Sequence, residues 1–169
     1  MVLMQNKSKT TSKTTTVMTF LFLLSMIQSS SAVEFEKLGS AIIKVLGTKQ
    51  AMQEKVKMGK NEYDVFFTPD KKRYAVIQNG TYPPNCTHTW VIALDKKAKV
   101  KDIRVIEMSC PHAFPTKQAS FLSQYKGKSK ADLKSLDSSI STVAKATGSS
   151  KLTTDAVKRS IKIVSQMTN

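Results

Sequence analysis

The side chains best suited to chemistry are two Cys-x-His pairs, Cys86 with His88 and Cys110 with His112, which hold every cysteine and histidine of the 169-residue chain. An even number of cysteines outside the cytoplasm ordinarily forms disulfides. Thiolate and imidazole groups also bind zinc well, so these residues could instead form a Cys2His2 metal site. Their spacing differs from the Cys-x2-Cys and His-x3-His pairs of zinc motifs. A disulfide is favoured, with a metal site or a redox-active cysteine pair as the alternative.

Two predicted strands bring these pairs together. Residues 88–94 and 100–108 are rich in β-forming side chains and are separated by the polar turn 95–99. If they pair as a hairpin centred near residue 97, Cys86 lies opposite residue 108, and Cys110 follows two positions later. The sequence therefore predicts both cysteines at the open end of one hairpin, close enough to bond after a small bulge.

A second group of polar residues precedes the last predicted helix. It combines one glycine with hydroxyl and lysine side chains: Thr147, Gly148, Ser149, Ser150, Lys151, Thr153 and Thr154. We expect Thr153 or Thr154 to cap the helix and Asp155 to add negative charge to its first turn. Backbone N–H groups at a helix start, with a glycine that permits close approach, suit a phosphate or another anion. An ordinary capped helix after a polar loop is the alternative interpretation.

Hydrophobic periodicity predicts helices at both ends of the chain. Residues 34–58 have the pattern of a helix in two pieces, broken at residues 47–48, and the second piece contains Met52 and Val56. Further helices are predicted towards the C-terminus, at residues 115–126, 130–136 and 153–167.

The middle of the chain has the pattern of strands. Four short β-forming segments follow one another with turns and no helices between them: residues 63–67, 74–77, 88–94 and 100–108. The second of these is expected to end at the turn-forming pair Asn79-Gly80. Consecutive strands without crossover helices favour an antiparallel meander. We therefore expect an α+β fold with N-terminal helices, an antiparallel four-stranded meander, and C-terminal helices packed on the sheet.

The first 32 residues have the pattern of a secretory signal. Lysines without acidic residues precede an apolar run of 11 residues, residues 17–27, and small side chains stand at Ser30 and Ala32 before a predicted cleavage. The run is shorter than the roughly 20 residues that span a membrane, which makes a membrane anchor the less favoured alternative. We predict a signal peptide in residues 1–32 and a single domain in residues 33–169. The expected location is periplasmic or on the outer face of the cytoplasmic membrane.

The chain is strongly basic, with 27 Lys and Arg against 12 Asp and Glu and a formal net charge of +15. This balance favours anionic partners such as a phosphate-bearing ligand, an acidic protein or an anionic membrane surface. We do not expect nucleic acid as a partner, because the chain is predicted to be exported and its lysines are spread out without Arg-rich or aromatic-interleaved stretches. The sequence also contains no hydrolase motif.

Three segments in a fixed order resemble the FMN-binding domain family, which occurs in the Rnf electron-transport complex and in the sodium-translocating NADH:quinone reductase. They are the strand at residues 100–107, residues 121–129, similar to the family's F-x-x-Q-F-x-G-K, and residues 147–154, similar to its S-G-A-T-x-T-S. Together the matching features span residues 74–166. The resemblance implies an FMN phosphate at the residue 147–154 segment, which in some members is a phosphoester on the position of Ser150.

The chain departs from the family pattern in the third segment. Ala144 or Lys145 stands where the family often has an aspartate, and serine replaces both Ala and Thr of S-G-A-T. The resemblance therefore implies non-covalent FMN rather than a phosphoester on Ser150. It also implies an electron carrier in a membrane-associated redox chain, with an acidic or membrane-bound redox partner, rather than a stand-alone catalyst. The alternative is an exported binding protein without flavin that holds a Cys/His metal site or a structural disulfide.

Overall fold

The computed structural model describes residues 29–168. Its strands are β1 (Met52–Met58), β2 (Asn61–Phe67), β3 (Arg73–Tyr82), β4 (Cys86–Asp95) and β5 (Val100–Met108). Its α-helices are α1 (Ser29–Leu46), α2 (Ala119–Leu122), α3 (Leu136–Ser139) and α4 (Thr147–Met167). Short 3-10 segments lie at Pro111–Lys117, Ser123–Tyr125 and Lys130–Asp132. The apolar run at residues 17–27 lies outside the described residues, and α1 includes the predicted cleavage position at Ala32.

The strands form one antiparallel sheet in the order β1-β2-β3-β4-β5. This arrangement confirms the α+β class and the antiparallel meander, with one strand more than expected. The extra strand is β1, so the prediction of a second helical piece within residues 34–58 is wrong. Met52 and Val56 are four positions apart, a spacing that fits one face of a helix and equally one face of a strand. Pairing with β2, through a turn in which Gly59 has φ +63°, decides between them.

The strand β3 extends beyond its predicted end. Asn79 and Gly80 do not form the expected turn but pair with Thr89 and His88 of β4. Gly80 fits in the strand because a Cβ there would lie 3.2 Å from the ring of Trp90, which fills the space that a side chain would need. The absence of a side chain at this position serves packing across the sheet rather than chain reversal.

Helices pack on both faces of the sheet. On one face, α4 contributes Val157, Ile161 and Val164 to a core that includes Trp90 and Ile92 of β4. Ile42 and Leu46 of α1 cover the other face, where they pack against Ala75 and Val91. The prediction that C-terminal helices pack on the sheet is therefore confirmed. None of the described helices is long and apolar enough to cross a bilayer.

The connection from β5 to α4 consists of short helical segments. The helix predicted to start at Pro115 is replaced by the 3-10 segment Pro111–Lys117, α2 and a second 3-10 segment, ended before Gly127, which has φ +83°. The helix predicted at residues 130–136 is also divided, into Lys130–Asp132 and α3.

The ladder between β2 and β3 is much shorter than the ladders on either side. The two strands pair only from Val65 to Phe67 with Tyr74 to Val76, whereas β1 pairs with β2 along its whole length. The unpaired parts diverge around a cleft of ~520 Å³, which Leu152 and Arg159 of α4 also line.

Candidate functional site

The polar segment that was expected to precede the last helix forms its first two turns instead. Helix α4 begins at Thr147, with Ala146 at the N-cap position, so the predicted caps at Thr153 and Thr154 are wrong. Both threonines are buried in the helix interior, where their hydroxyls donate to the carbonyls of Ser149 and Ser150 at 2.9 and 3.1 Å. A bond to the carbonyl four residues back is a common way for a Thr hydroxyl inside a helix to find an acceptor.

The first backbone N–H groups of α4 are available to a ligand. No hydrogen bond connects the N–H groups of Thr147, Gly148 or Ser149 to another described residue, and the N–H of Ser150 is the first to bond, to the carbonyl of Ala146 at 2.9 Å. The 21-residue helix adds the positive end of its dipole at the same place. Together these groups can bind an anion.

A cavity of ~470 Å³ opens at this helix start. Its lining includes residues 147–149, Lys145, Tyr82 and His112, together with both cysteines. Clefts of similar volume lie elsewhere on the described surface, so volume alone does not single out this one. What distinguishes it is a lysine beside three unbonded N–H groups at the start of a long helix. We call it the α4 cavity.

Tyr82 and Gly148 form the narrowest contact in the wall of the α4 cavity. A Cβ on Gly148 would overlap the Tyr82 ring, so glycine permits the aromatic ring to lie directly on the helix start. The Tyr82 side chain is nevertheless 48% exposed, which leaves much of the residue accessible from the cavity. Sequence reasoning missed Tyr82 because Asn79-Gly80 was interpreted as the end of the strand. The sequence feature that could have indicated Tyr82 is the run Tyr82-Pro83-Pro84 that begins at this residue.

The other predicted site residues do not line the α4 cavity. Ser150 is fully buried and its hydroxyl makes two bonds, donating to the carbonyl of Ala146 and accepting from the N–H of Val143, both at 3.0 Å. Thr154 is 2.9 Å from the hydroxyl of Tyr125, and burial raises the pKa of that hydroxyl to about 12. Lys151 is exposed on the helix surface. Of the predicted cofactor-binding residues, Thr147, Gly148 and Ser149 line the cavity, and the others do not.

Cys86 and Cys110 form a disulfide with Cα atoms 5.3 Å apart, which confirms the favoured prediction. Residue 108 pairs with His88 rather than with Cys86, because bulges on β5 shift the register by two positions. The bond lies in the wall of the α4 cavity and packs against Met108 and Ala113. Cys86 is buried and Cys110 is half-buried, so the two sulfur-bearing residues differ in their access to the cavity.

The two histidines have different environments. His88 is 1% exposed, stacks on Trp90 with ring centroids 5.2 Å apart, and has its Nδ1 3.2 Å from the carbonyl oxygen of Cys86. Its Nε2 has no hydrogen-bond partner among the described residues. Burial lowers the pKa of His88, so its ring is neutral near pH 7. His112, in contrast, is exposed at the cavity.

The arrangement does not support the metal alternative. In the disulfide, neither Cys86 nor Cys110 can supply the thiolate that a zinc site requires. Within residues 29–168, no group of three or more His, Cys, Asp or Glu side chains is placed to hold a metal ion.

Comparison with protein-family models, with curated proteins and with solved structures found no match to this chain. The functional argument therefore rests on the residues of the α4 cavity, and the resemblance to the FMN-binding family stays a prediction.

Proposed function

We propose that this protein is an exported FMN-binding domain that carries electrons in a membrane-associated redox chain, with the FMN phosphate at the start of α4. The observation that supports this most directly is the set of unbonded N–H groups of residues 147–149 beside Lys145, in a cavity at the position where the family resemblance implies the phosphate. Three N–H donors and an ammonium group match the acceptors and charge of a phosphate monoester.

The remaining lining of the α4 cavity also suits a cofactor of this size. Its volume of ~470 Å³ lies within the range of roughly 300–1,000 Å³ that is usual for small-molecule sites. Tyr82 offers an aromatic face, while Pro83, Pro84 and Ala113 add apolar surface. The aromatic and apolar surfaces suit the face of a planar ring system, and the helix start suits its charged tail.

The structure favours non-covalent binding over a phosphoester on Ser150. That hydroxyl is fully buried and engaged both as a donor and as an acceptor, so it cannot reach a ligand in the cavity without breaking the start of α4. The Ser150 side chain serves the helix, and the three preceding N–H groups serve the phosphate.

The chain's own residues would anchor and orient the cofactor rather than react with it. FMN, when bound, supplies the electron-transfer chemistry, and the protein determines its position and electrostatic surroundings. The positive helix end and Lys145 hold negative charge at one end of the cavity. Elsewhere on the surface, Lys96 and Lys97 border a cleft of ~500 Å³ that is rich in basic side chains, and it offers an acidic redox partner a docking surface.

FMN and riboflavin test this proposal, because the two differ only in the phosphate. We expect purified protein to retain FMN, to gain thermal stability from it and to bind riboflavin much more weakly. Lys145→Gln should weaken FMN binding by about tenfold or more, since a hydrogen bond to a charged group contributes about 1.5–3 kcal/mol. Lys130→Gln removes an exposed lysine remote from the cavity and serves as the matched control.

Two results would refute the proposal. One is a folded protein that neither retains FMN nor gains thermal stability from a large excess of it. The other is equal affinity for FMN and riboflavin, which would remove the assigned role of the helix start. In the first case the exported binding protein with a disulfide and no flavin becomes the better account, and the Cys86–Cys110 bond is the observation that favours it.

A further inference from the structure

The disulfide occupies a position that a purely structural cross-link does not need. Both Cys86 and Cys110 line the α4 cavity, so the bond can be approached by a molecule that enters there. The sequence separation of the two cysteines is 24 residues, but β4 and β5 already hold them together through a ladder that extends, with two bulges, to the pair of His88 with Met108. The hairpin would keep the cysteines near each other without the bond.

The two ends of the bond are chemically unequal. Cys86 is 4% exposed and packs with Met108 and Ala113, whereas Cys110 is half-buried at the end of β5. Lys145 lines the same cavity, and its positive charge favours the approach of an anionic nucleophile such as a thiolate. An attacking thiolate would therefore reach Cys110 first.

His88 provides a second, independent observation. Its Nδ1 lies against the carbonyl of Cys86, which places the ring proton there and leaves Nε2 as an acceptor without a partner among the described residues. Cys86 and His88 are two positions apart on β4, so their side chains share one face of the strand. When the disulfide opens, Cys86 gains an S–H group, a weak donor, on the face of β4 that also carries His88. The reduced form therefore adds one donor to the strand face on which His88 Nε2 has no partner in the oxidised form.

We propose that the Cys86–Cys110 disulfide is redox-active and exchanges with an external dithiol that enters the α4 cavity and attacks Cys110 Sγ. One thiolate of the dithiol bonds to Cys110 Sγ, the bond between the cysteines breaks, and the electron pair leaves on Cys86 Sγ, which takes a proton from solvent. The second thiolate of the partner then attacks the partner's own sulfur in the mixed disulfide and releases Cys110 as a thiolate. Two electrons pass from the dithiol, which becomes a disulfide, to the cysteine pair. This inference does not require flavin and concerns the α4 cavity without FMN, because a dithiol and FMN would compete for the same space.

The first experiment follows the reduction of the full-length, natively folded protein by dithiothreitol, with alkylation and mass measurement of the free thiols. We expect the rate to rise in proportion to dithiothreitol concentration, because the sulfur is attacked in the folded state. Rapid trapping with a monothiol should give a mixed disulfide on Cys110. A rate that levels off at the unfolding rate would overturn the proposal, and so would an adduct on Cys86.

The second experiment measures the equilibrium between the protein and a dithiothreitol redox buffer. His88→Leu should shift this equilibrium towards the disulfide by about 2–3-fold, the value of one weak hydrogen bond lost from the reduced form, because S–H is a weak donor. His112→Leu, at the exposed histidine, is the matched control and should leave the equilibrium unchanged. Equal shifts in both variants, or none in His88→Leu, would contradict the assigned role of His88. Thermal unfolding of each variant confirms that it is folded, and the whole test is carried out without FMN, so that its failure and that of the flavin proposal are separate.

Discussion

Neighbouring serines at the start of α4 allow the proposed division of labour to be tested with two single substitutions. Ser150→Ala removes a hydroxyl that bonds to both Val143 and Ala146. The loss leaves the N–H of Val143 without an acceptor in a partly buried position, a cost of about 1–3 kcal/mol. Alanine recovers roughly 0.5 kcal/mol through its higher helix propensity. We therefore expect a net destabilisation of about 1–2 kcal/mol.

The measurement compares the free energy of unfolding with the affinity for FMN. Urea unfolding of Ser150→Ala should show the loss directly, and the melting temperature should fall by roughly 3–6 °C for a domain of this size. FMN affinity should be unchanged, because the Ser150 side chain is fully buried outside the lining of the cavity. Ser149→Ala, at the adjacent residue that does line the cavity, keeps the backbone N–H assigned to the phosphate. It is the matched control and should change both stability and FMN affinity little. A Ser150→Ala protein with unchanged stability and lost FMN binding would refute this division.

Three further predictions follow from packing, charge and cross-linking. Gly148→Ala should destabilise the protein by about 1–3 kcal/mol, because the new Cβ would overlap the Tyr82 ring. In a Tyr82→Ala background the same substitution should stabilise the protein by up to about 1 kcal/mol, because alanine has the higher helix propensity. Chemical denaturation of the wild type, both single mutants and the double mutant measures the difference. Hydrogen bonds from Thr68 and the backbone of Lys72 lower the pKa of Asp70 from 3.8 to about 2. The contribution of Asp70 to stability is therefore present above pH 3.8 and is lost as the pH falls towards 2. Asp70→Asn should lessen the fall in melting temperature between these pH values, and an unchanged dependence of melting temperature on pH would refute the assignment. Opening the disulfide, whose cysteines are 24 residues apart, should lower the free energy of unfolding by about 3 kcal/mol, because the bond restricts the unfolded chain. Urea unfolding of oxidised and reduced protein measures this difference, and equal stability of the two forms would refute the prediction.

Patterns that depend on near neighbours in the sequence predicted the sheet well. Residues 100–108 were predicted as a strand with the bounds that β5 has, and the disulfide followed from pairing the strands around residue 97. Those features need only β propensity, alternation and a short turn, which are local properties.

The failures share a physical cause, because tertiary contacts override an ambiguous local signal. Met52 and Val56 are compatible with helix and strand, and pairing with β2 decides for the strand. Gly80 resembles a turn residue until Trp90 is placed against it. At the candidate site, Thr153 and Thr154 have the side chains of helix caps, but burial against Tyr125 and the core makes them interior residues. Placing Tyr82 at the site requires the knowledge that β3 continues past Gly80, and that continuation depends on pairing with β4.

The short β2–β3 ladder joins the β1–β2 hairpin to the rest of the sheet by few backbone pairs, and the burial of Val65 and Phe67 in the main core also holds it in place. Detaching it would break the pairing only between Val65–Phe67 and Tyr74–Val76, while its own ladder stayed intact. The backbone N–H groups of Ile77 to Tyr82 that face the hairpin are therefore weakly protected from hydrogen exchange. The groups on the other side of the same strand are paired with β4. At high protein concentration, a separated hairpin would expose unpaired backbone N–H and C=O groups along its strand edge, and these can pair with other copies of the chain. That outermost hairpin carries charged side chains of both signs, among them Lys55 and Glu62, which form an ion pair at 3.3 Å. Charged side chains on an edge strand discourage pairing with another chain.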